Sequence, residues 1–174
     1  MKELNTRTLF SKEKIHERVQ ELGQEISKHY GDEVVTVIAV LKGSIVFMTD
    51  LIRAIKSPVE IDFIGVSSYE GTESTGNVRI THDLRSDISM KNVLLVEDII
   101  DTGLTIDCLV KVLQARGPKS LKVCSLLSKP EAHKQETQID YCGFEISKEF
   151  VIGYGLDLDE RYREIPEILQ VIQD

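Results

Sequence analysis

Apolar residues follow two rhythms along this chain, one typical of buried strands and one typical of amphipathic helices. Residues 93–96 form a short continuous apolar run, which predicts a strand covered on both faces, as in a parallel sheet. The apolar residues after it recur at the spacing of one helical face and are Ile106, Leu109, Val110 and Leu113. Gly117 and Pro118 predict the end of that helix, since both residue types commonly follow a helix C-terminus.

The same order of strand and helix covers most of the chain. Helices are predicted at residues 12–28, 43–55 and 102–116, with Ser11 as the N-cap of the first, and a small helix near residues 165–172. Strands are predicted at residues 34–41, 59–66, 78–81, 93–96 and 121–127. This alternation indicates an α/β fold with a parallel core, and one domain over residues 1–174 accounts for the length.

Acidic residues follow the apolar run at 93–96. Glu97 and Asp98 come directly after it, Asp101 follows, and the helix pattern then begins with Thr102, Gly103 and Thr105. We expect the acids and the Thr/Gly turn to form a loop at the carboxyl end of the strand, where open α/β sheets bind ligands. The free N–H groups of a helix N-terminus favour a phosphate, and adjacent carboxylates suit sugar hydroxyls or a hard cation. No Walker lysine follows the turn, which excludes an ATPase-type P-loop.

The composition argues against several classes of protein. No apolar run approaches the roughly 20 residues that a membrane span needs, and the N-terminus lacks the apolar segment of a signal peptide. The formal net charge of −8 argues against a nucleic-acid partner, which usually requires a basic surface. Cys108, Cys124 and Cys142 lack metal-ligand spacing, so we expect reduced thiols and a cytoplasmic protein.

The segment at residues 93–106 resembles the phosphoribosyl-pyrophosphate signature of the purine phosphoribosyltransferases. Further matching segments extend the resemblance over nearly the whole chain and point to the hypoxanthine (hypoxanthine-guanine) type found in bacteria; they are residues 41–44, 68–69, 74–76, 125–129 and 150–157, followed by Arg163. The resemblance implies the type I phosphoribosyltransferase fold. That fold has a central parallel sheet flanked by helices, a small hood subdomain and a flexible lid loop, here at residues 67–79.

The resemblance also implies the residues that bind phosphoribosyl pyrophosphate. They are Lys42, Gly43, Ser68, Tyr69, Glu97, Asp98, Asp101, Thr102, Gly103, Leu104, Thr105 and Arg163. In the family, the Lys-Gly pair binds pyrophosphate through backbone N–H groups, after a cis peptide bond that would join Leu41 to Lys42 here. Mg²⁺ is the implied cofactor, with Glu97, Asp98 and Asp157 as its ligands, and its charge would offset the acidic balance of the chain. Asp101 is the implied general base.

The implied acceptor is a 6-oxopurine, which Lys129, Phe150, Val151 and Asp157 would bind. The Lys129 ammonium would donate to the purine O6, and a fixed donor disfavours adenine, which carries an amine there. The order of preference among hypoxanthine, guanine and xanthine stays open. Members of the family are usually homodimers or homotetramers, and the sequence does not choose between these two states.

Two other functions remain as alternatives. The first is a related transferase that acts on xanthine, adenine or uracil. The second is a regulator with the same fold that binds RNA or DNA and has lost the chemistry. The acidic balance, the candidate base Asp101 and the lack of an added helix-turn-helix segment argue against the regulator.

Overall fold

The computed structural model describes residues 4–68 and 78–172. In chain order its elements are β1 (Thr6–Phe10), α1 (Lys12–Tyr30), β2 (Val35–Leu41), α2 (Ser44–Ala54), β3 (Val59–Ser68), β4 (Val78–His82), β5 (Asn92–Ile100), α3 (Leu104–Gln114), β6 (Ser120–Ser128), a 3₁₀ turn (Pro130–Ala132), β7 (Tyr141–Glu145), β8 (Val151–Ile152) and β9 (Ile168–Val171). The predicted α/β alternation from β2 to β6 is therefore confirmed, as is Ser11 as the N-cap of α1, where its side chain accepts from the Lys14 N–H.

The main sheet has six strands in the order β4-β3-β2-β5-β6-β7. All neighbouring pairs are parallel except β3 with β4. Ala39 of β2 lies opposite Val96 of β5, which lies opposite Cys124 of β6. The carboxyl ends of these three adjacent strands therefore meet at one edge of the sheet, and the turns that follow them lie side by side.

Both faces of the sheet are covered, because successive strand side chains point to opposite faces. Val37 and Ala39 pack with α1 and α2 on one face, whereas Ile38 and Val40 pack with α3 on the other. This double burial explains the continuous apolar runs that predicted a parallel core. No helix in residues 4–68 and 78–172 is long and apolar enough to cross a membrane.

A second, antiparallel sheet joins the two ends of the described chain in the order β1-β9-β8. The predicted small helix near residues 165–172 is wrong, because Ile168–Val171 is strand β9, between β1 and β8. Four mostly apolar residues fit the spacing of a helix face as well as that of a strand, so their pairing with the distant strands β1 and β8 decided the structure. This sheet corresponds to the small subdomain that the family resemblance predicted.

Strand β5 is longer than the apolar run that predicted it. We expected Glu97 and Asp98 in a loop after residue 96, but both lie within β5, which runs to Ile100. The reason is the neighbouring strand, since β6 runs to Ser128 and continues the ladder beside β5, with Glu97 opposite Ser125. The acids are therefore part of the sheet, and only Asp101 and the residues after it form the turn.

Candidate active site

Turns from three adjacent strands form the candidate site. Lys42 and Gly43 follow β2, residues 101–103 follow β5, and Lys129 follows β6. Ser68 is the last residue of β3, the next strand along the sheet. Tyr69 and most of the predicted lid loop at residues 67–79 lie outside the described residues.

The two adjacent acids of β5 differ in exposure. Glu97 is 8% exposed, and Asp98 is half-buried. The Asp98 N–H donates to the Glu97 carboxylate, and the Ile99 N–H donates to the Asp98 carboxylate. Burial raises the pKa of Glu97 well above its usual range, and the charge of Asp98 raises it further. This pair would therefore gain from a bound cation or from hydroxyl donors.

The site fits Mg²⁺ only in part. Two adjacent carboxylates at a strand end suit a hard cation, but Asp157 belongs to a different cluster of side chains, described below. Within residues 4–68 and 78–172, no group of three or more His, Cys, Asp or Glu residues comes together as a metal site. A Mg²⁺ ion held by Glu97 and Asp98 would therefore take its remaining ligands from substrate oxygens and water, as is usual for this ion.

The turn after β5 has the geometry of an anion site. Gly103 has φ +81 and precedes α3, so the first N–H groups of the helix are free of helical partners. The turn and the end of β5 enclose a cavity of about 120 Å³. Its lining residues are Glu97, Ile99, Ile100, Asp101, Thr102, Gly103, Thr105 and Ile106. Glu97 and Asp101 therefore share one cavity with the predicted phosphate turn, whereas Asp98 does not line it.

The segment at residues 134–137, which the sequence did not indicate, contacts this turn from another side. The Lys134 N–H donates to the Thr102 carbonyl (3.1 Å), and the Thr137 hydroxyl donates to Asp107 in the first turn of α3 (3.2 Å). A side chain on Gly103 would collide with Thr137. This segment therefore restrains the phosphate turn, and it has no sequence motif by which to find it.

Asp101 and Lys129 form an ion pair across the site. The Lys129 Nζ lies 3.2 Å from the Asp101 Oδ2, and the Lys129 N–H also donates to the Ile100 carbonyl. The Lys129 side chain is largely buried, at 13% exposed, whereas Asp101 is 54% exposed. The candidate base and the candidate purine-binding lysine are therefore adjacent, although 28 residues separate them in the sequence.

The backbones of two more turns pack against each other beside Asp98. A Cβ on Gly43 would overlap the Asp98 carboxylate, and a Cβ on Gly155, which has φ +98, would overlap the Gly43 carbonyl oxygen. The peptide bond between Leu41 and Lys42 is cis, as the family resemblance implied. The turns after β2 and β8 therefore meet beside the acids of β5.

Arg163 and Asp157 lie in this second cluster. The Arg163 guanidinium pairs with Asp157 (2.9 Å) and Glu160 (3.2 Å) and donates to the Gly155 carbonyl (2.7 Å). Glu160 also pairs with the Lys42 ammonium at 3.1 Å. The sequence indicated Lys42, Asp157 and Arg163 but missed Glu160, which carried no motif signal.

Phe150 and Val151 begin the segment that leads to this cluster. Phe150 is 43% exposed, so its ring is accessible, and Val151 is buried in β8 opposite Gln170. Phe150 lines a groove of about 470 Å³ with Lys148, Glu149, Gln170, Val171 and Ile172. No hydrogen bond or ion pair described in the structure joins this groove to Lys129.

Comparisons with known proteins agree on one family. A model described as the phosphoribosyl transferase domain matches residues 6–159. The hypoxanthine-guanine phosphoribosyltransferase of Mycobacterium avium is 47% identical over 167 residues, which cover 92% of this chain and 82% of that protein. The crystal structure of such an enzyme from Bacillus anthracis has a TM-score of 0.94 and 48% identity, and covers 98% of this chain and 100% of that one. The hypoxanthine phosphoribosyltransferase of Trypanosoma cruzi, solved with its product IMP, has a TM-score of 0.91 and 40% identity, and covers 99% and 96%.

Proposed function

Since this chain belongs to the phosphoribosyltransferase family, we propose that it transfers the 5-phosphoribosyl group of phosphoribosyl pyrophosphate to N9 of hypoxanthine or guanine. The products are IMP or GMP and pyrophosphate, so the reaction salvages purine bases. The observation that carries the proposal is the Asp101–Lys129 ion pair, because it joins the expected donor site to the expected purine site. A single bound complex of donor and purine can therefore contact both of these sites.

In the proposed complex the donor lies along the β5 edge. The turn at residues 101–105 binds the 5′-phosphate through its backbone N–H groups and the hydroxyls of Thr102 and Thr105. Glu97 and Asp98 bind the ribose hydroxyls, directly or through Mg²⁺. The close approach of Gly43 to Asp98 supports a neighbouring pyrophosphate site, because both would contact the same end of the donor.

The remaining donor residues surround the pyrophosphate. Lys42 and Gly43 offer backbone N–H groups, and the Arg163 guanidinium offers a fork that matches phosphate oxygens. Ser68 and Tyr69 would close over the reacting carbon and exclude water, which matters because hydrolysis competes with transfer. The position of Ser68 at the end of β3 supports this role.

The purine would lie between Lys129 and the Phe150 segment. The buried Lys129 ammonium donates to O6, Phe150 stacks on the purine face, and the Val151 backbone and Asp157 lie at the edge near the two-position. The accessible ring of Phe150 and the low exposure of Lys129 support these roles. Lys129 would exchange its Asp101 partner for the purine oxygen when the base binds.

The proposed reaction breaks the bond between the anomeric carbon and pyrophosphate and forms the bond to N9. Bond breaking leads, so positive charge develops on the sugar in an oxocarbenium-like transition state. Asp101 accepts the proton that the purine loses at N7 and so leaves the product neutral at that position. The bond electrons leave with pyrophosphate, whose charge the Arg163 guanidinium partly balances.

Glu97 and Asp98 would hold Mg²⁺, and Asp157 is the further ligand that the family resemblance implies. When bound, the ion would supply positive charge that offsets the departing pyrophosphate. The raised pKa of Glu97 supports a cation beside this pair, because no cation within residues 4–68 and 78–172 forms an ion pair with its carboxylate. Asp157 would have to release Arg163 before it could contribute.

The whole chain from residue 1 to residue 174 would form one phosphoribosyltransferase domain, as a homodimer or homotetramer in the cytoplasm. The free thiols of Cys108, Cys124 and Cys142 support a reducing compartment. Burial raises the pKa of Cys124, which suits an inert thiol in the core.

A turnover assay tests the proposal. The purified chain, with phosphoribosyl pyrophosphate and Mg²⁺, should form IMP from hypoxanthine or GMP from guanine, and should leave adenine unchanged. Xanthine and uracil belong in the same assay, because turnover of either in place of hypoxanthine and guanine would replace the acceptor assigned here. No product with any base, together with a salt-sensitive gel shift of RNA or DNA, would establish the regulator instead.

A further inference from the structure

Glu160 lies between the side-chain cations of Lys42 and Arg163, two residues that the proposed function places at the pyrophosphate site. Its Oε2 lies 3.1 Å from the Lys42 ammonium and 3.2 Å from the Arg163 guanidinium. One carboxylate oxygen therefore bridges two turns that are distant in the sequence, the one after β2 and the one after β8. No motif in the sequence indicated a role for Glu160.

The loop itself holds Glu160 at this position. The Glu160 N–H donates to the Asp157 carboxylate (2.9 Å), and Leu158 and Arg161 pair in a short antiparallel bridge. Asp159 and Glu160 both have positive φ (53° and 63°), a conformation that is uncommon for residues other than glycine. The backbone is therefore folded so that the Glu160 side chain faces Lys42 and Arg163.

The contacts of Glu160 are easily exchanged. The side chains of Lys42 and Glu160 are 68% and 65% exposed, and exposed ion pairs contribute little to stability. Hydrogen bonds from Lys42 and Arg163, and then the charges of these two cations, lower the pKa of Glu160, so the carboxylate stays ionised at neutral pH. A fully charged but weakly held anion thus lies where a stronger anion would bind.

We propose that the Glu160 carboxylate stands in for pyrophosphate in the free enzyme. It holds the Lys42 and Arg163 side chains at the mouth of the site and gives them up when the diphosphate arrives. Glu160 is a positioning residue, because it acts through these two cations. This inference rests on the proposed function, since it assumes that pyrophosphate binds beside Lys42 and Arg163.

Competition between Glu160 and the diphosphate for Lys42 and Arg163 has a direct kinetic consequence. A diphosphate must displace Glu160 and then remain near its negative charge, so Glu160 weakens the binding of donor and product alike. Removing the charge should therefore tighten both, lower KM for phosphoribosyl pyrophosphate and slow the departure of pyrophosphate. A residue that only stabilised the loop would have the opposite effect, because its loss would weaken binding.

The test compares Glu160→Gln with Glu164→Gln in the full chain. Glu164 is an exposed acid one residue after Arg163, so its variant removes the same charge nearby and controls for the general field. Calorimetric titration with pyrophosphate and Mg²⁺ should give a Kd about two- to fivefold lower for Glu160→Gln, the scale of an exposed ion pair. Glu164→Gln should bind as the wild type does.

Steady-state kinetics and a second variant complete the test. KM for phosphoribosyl pyrophosphate should fall with the pyrophosphate Kd in Glu160→Gln, while kcat stays level or falls. Glu160→Asp keeps the charge on a shorter side chain and should not bind pyrophosphate more tightly than the wild type. An unchanged or higher Kd in Glu160→Gln would overturn the inference. A wild type that binds pyrophosphate but turns over no base would contradict the proposed function alone.

Discussion

Glu97 is a buried carboxyl whose ionisation the surrounding protein opposes. Its pKa in the folded chain is raised above the unfolded value, so the stability linked to it is fully present at low pH. That stability is lost as the pH rises through the raised pKa, because the ionised group then lies buried beside Asp98. A residue placed this way favours ligand binding at the expense of the free protein.

Glu97→Gln should therefore stabilise the free protein at neutral and basic pH. We expect Tm at about pH 8 to rise by roughly 2–4 °C, the shift that about 1 kcal/mol gives in a domain of this size. At about pH 4 the two proteins should melt together, because the wild-type carboxyl is then protonated. Thermal unfolding followed by circular dichroism measures both values. A lower Tm for the variant at basic pH would contradict this reading of Glu97.

Asp101 is the residue on which the proposed chemistry depends. We expect Asp101→Asn to lose about 10²–10⁴ in kcat, the usual contribution of a positioned base, since the amide cannot take the purine proton. Glu131→Gln is the matched control, because Glu131 is an exposed acid close to Lys129 in the chain. Steady-state assays of both variants decide the point. A near-normal kcat in Asp101→Asn would remove Asp101 from the role of base.

At the scale of the elements, strand β3 carries a buried acid, Asp62, that has a structural role. Asp62 is 4% exposed, and its two carboxylate oxygens accept from the N–H groups of Phe63, Arg85 and Ser86. These bonds fasten the segment between β4 and β5 to the sheet.

Asp62→Asn should destabilise the fold, because an amide group would face backbone donors that now have acceptors. We expect a loss of about 1–3 kcal/mol, the cost of leaving buried polar groups unpaired. Asp87→Asn serves as the comparison, since Asp87 is exposed and accepts one N–H, from Ser89. Urea unfolding gives both free energies of unfolding, and equal losses in the two variants would show that Asp62 has no special part.

The sequence predicted an element well where its own apolar pattern is clear, and poorly where pairing with a neighbouring strand determines the structure. The double burial of residues 35–41 and the apolar face of α1 are local signals, and both elements formed as expected. The continuation of β5 through Glu97 depends on β6, which the 93–100 segment does not contain. The strand at residues 168–171 depends in the same way on β1 and β8.

The residues of the candidate site show the same difference between local signals and contacts made only in the fold. The acids and the Thr/Gly turn could be found because they are contiguous. The Asp101–Lys129 pair, the Thr137 contact with the phosphate turn and the Glu160 bridge could not, because each joins segments that only the folded chain brings together. Motifs therefore supplied the residue types, and the topology supplied their partners.

At the scale of the whole molecule, the chain has a net charge of −8 and is proposed to bind a substrate with several phosphate charges. Local cations must offset this repulsion, and those that form ion pairs at the site are Lys42, Lys129 and Arg163. Each of them is paired with an acid in the free protein. Donor binding should therefore depend strongly on added Mg²⁺.

Ligand binding should raise the stability of the whole fold. Phosphoribosyl pyrophosphate with Mg²⁺, at about 100 times its Kd, should add about 2.7 kcal/mol to the free energy of unfolding. The same donor with a chelator in place of Mg²⁺ should add much less, because Glu97 and Asp98 would then face it unscreened. Thermal shift measurements show this difference, with Mg²⁺ alone as the blank. Equal shifts with and without the metal would remove Mg²⁺ from the donor complex.

The close meeting of Gly43, Asp98 and Gly155 has a consequence for protein engineering. The acids of β5 and the turn at 101–105 form a compact segment that could be grafted onto another parallel sheet. Such a graft would carry over the phosphate turn but not its surroundings, because one foreign backbone must reach Asp98, and a second must reach the first, without a Cβ at either contact. A scaffold chosen for this purpose has to be selected on the glycines of its neighbouring turns before any acid is introduced.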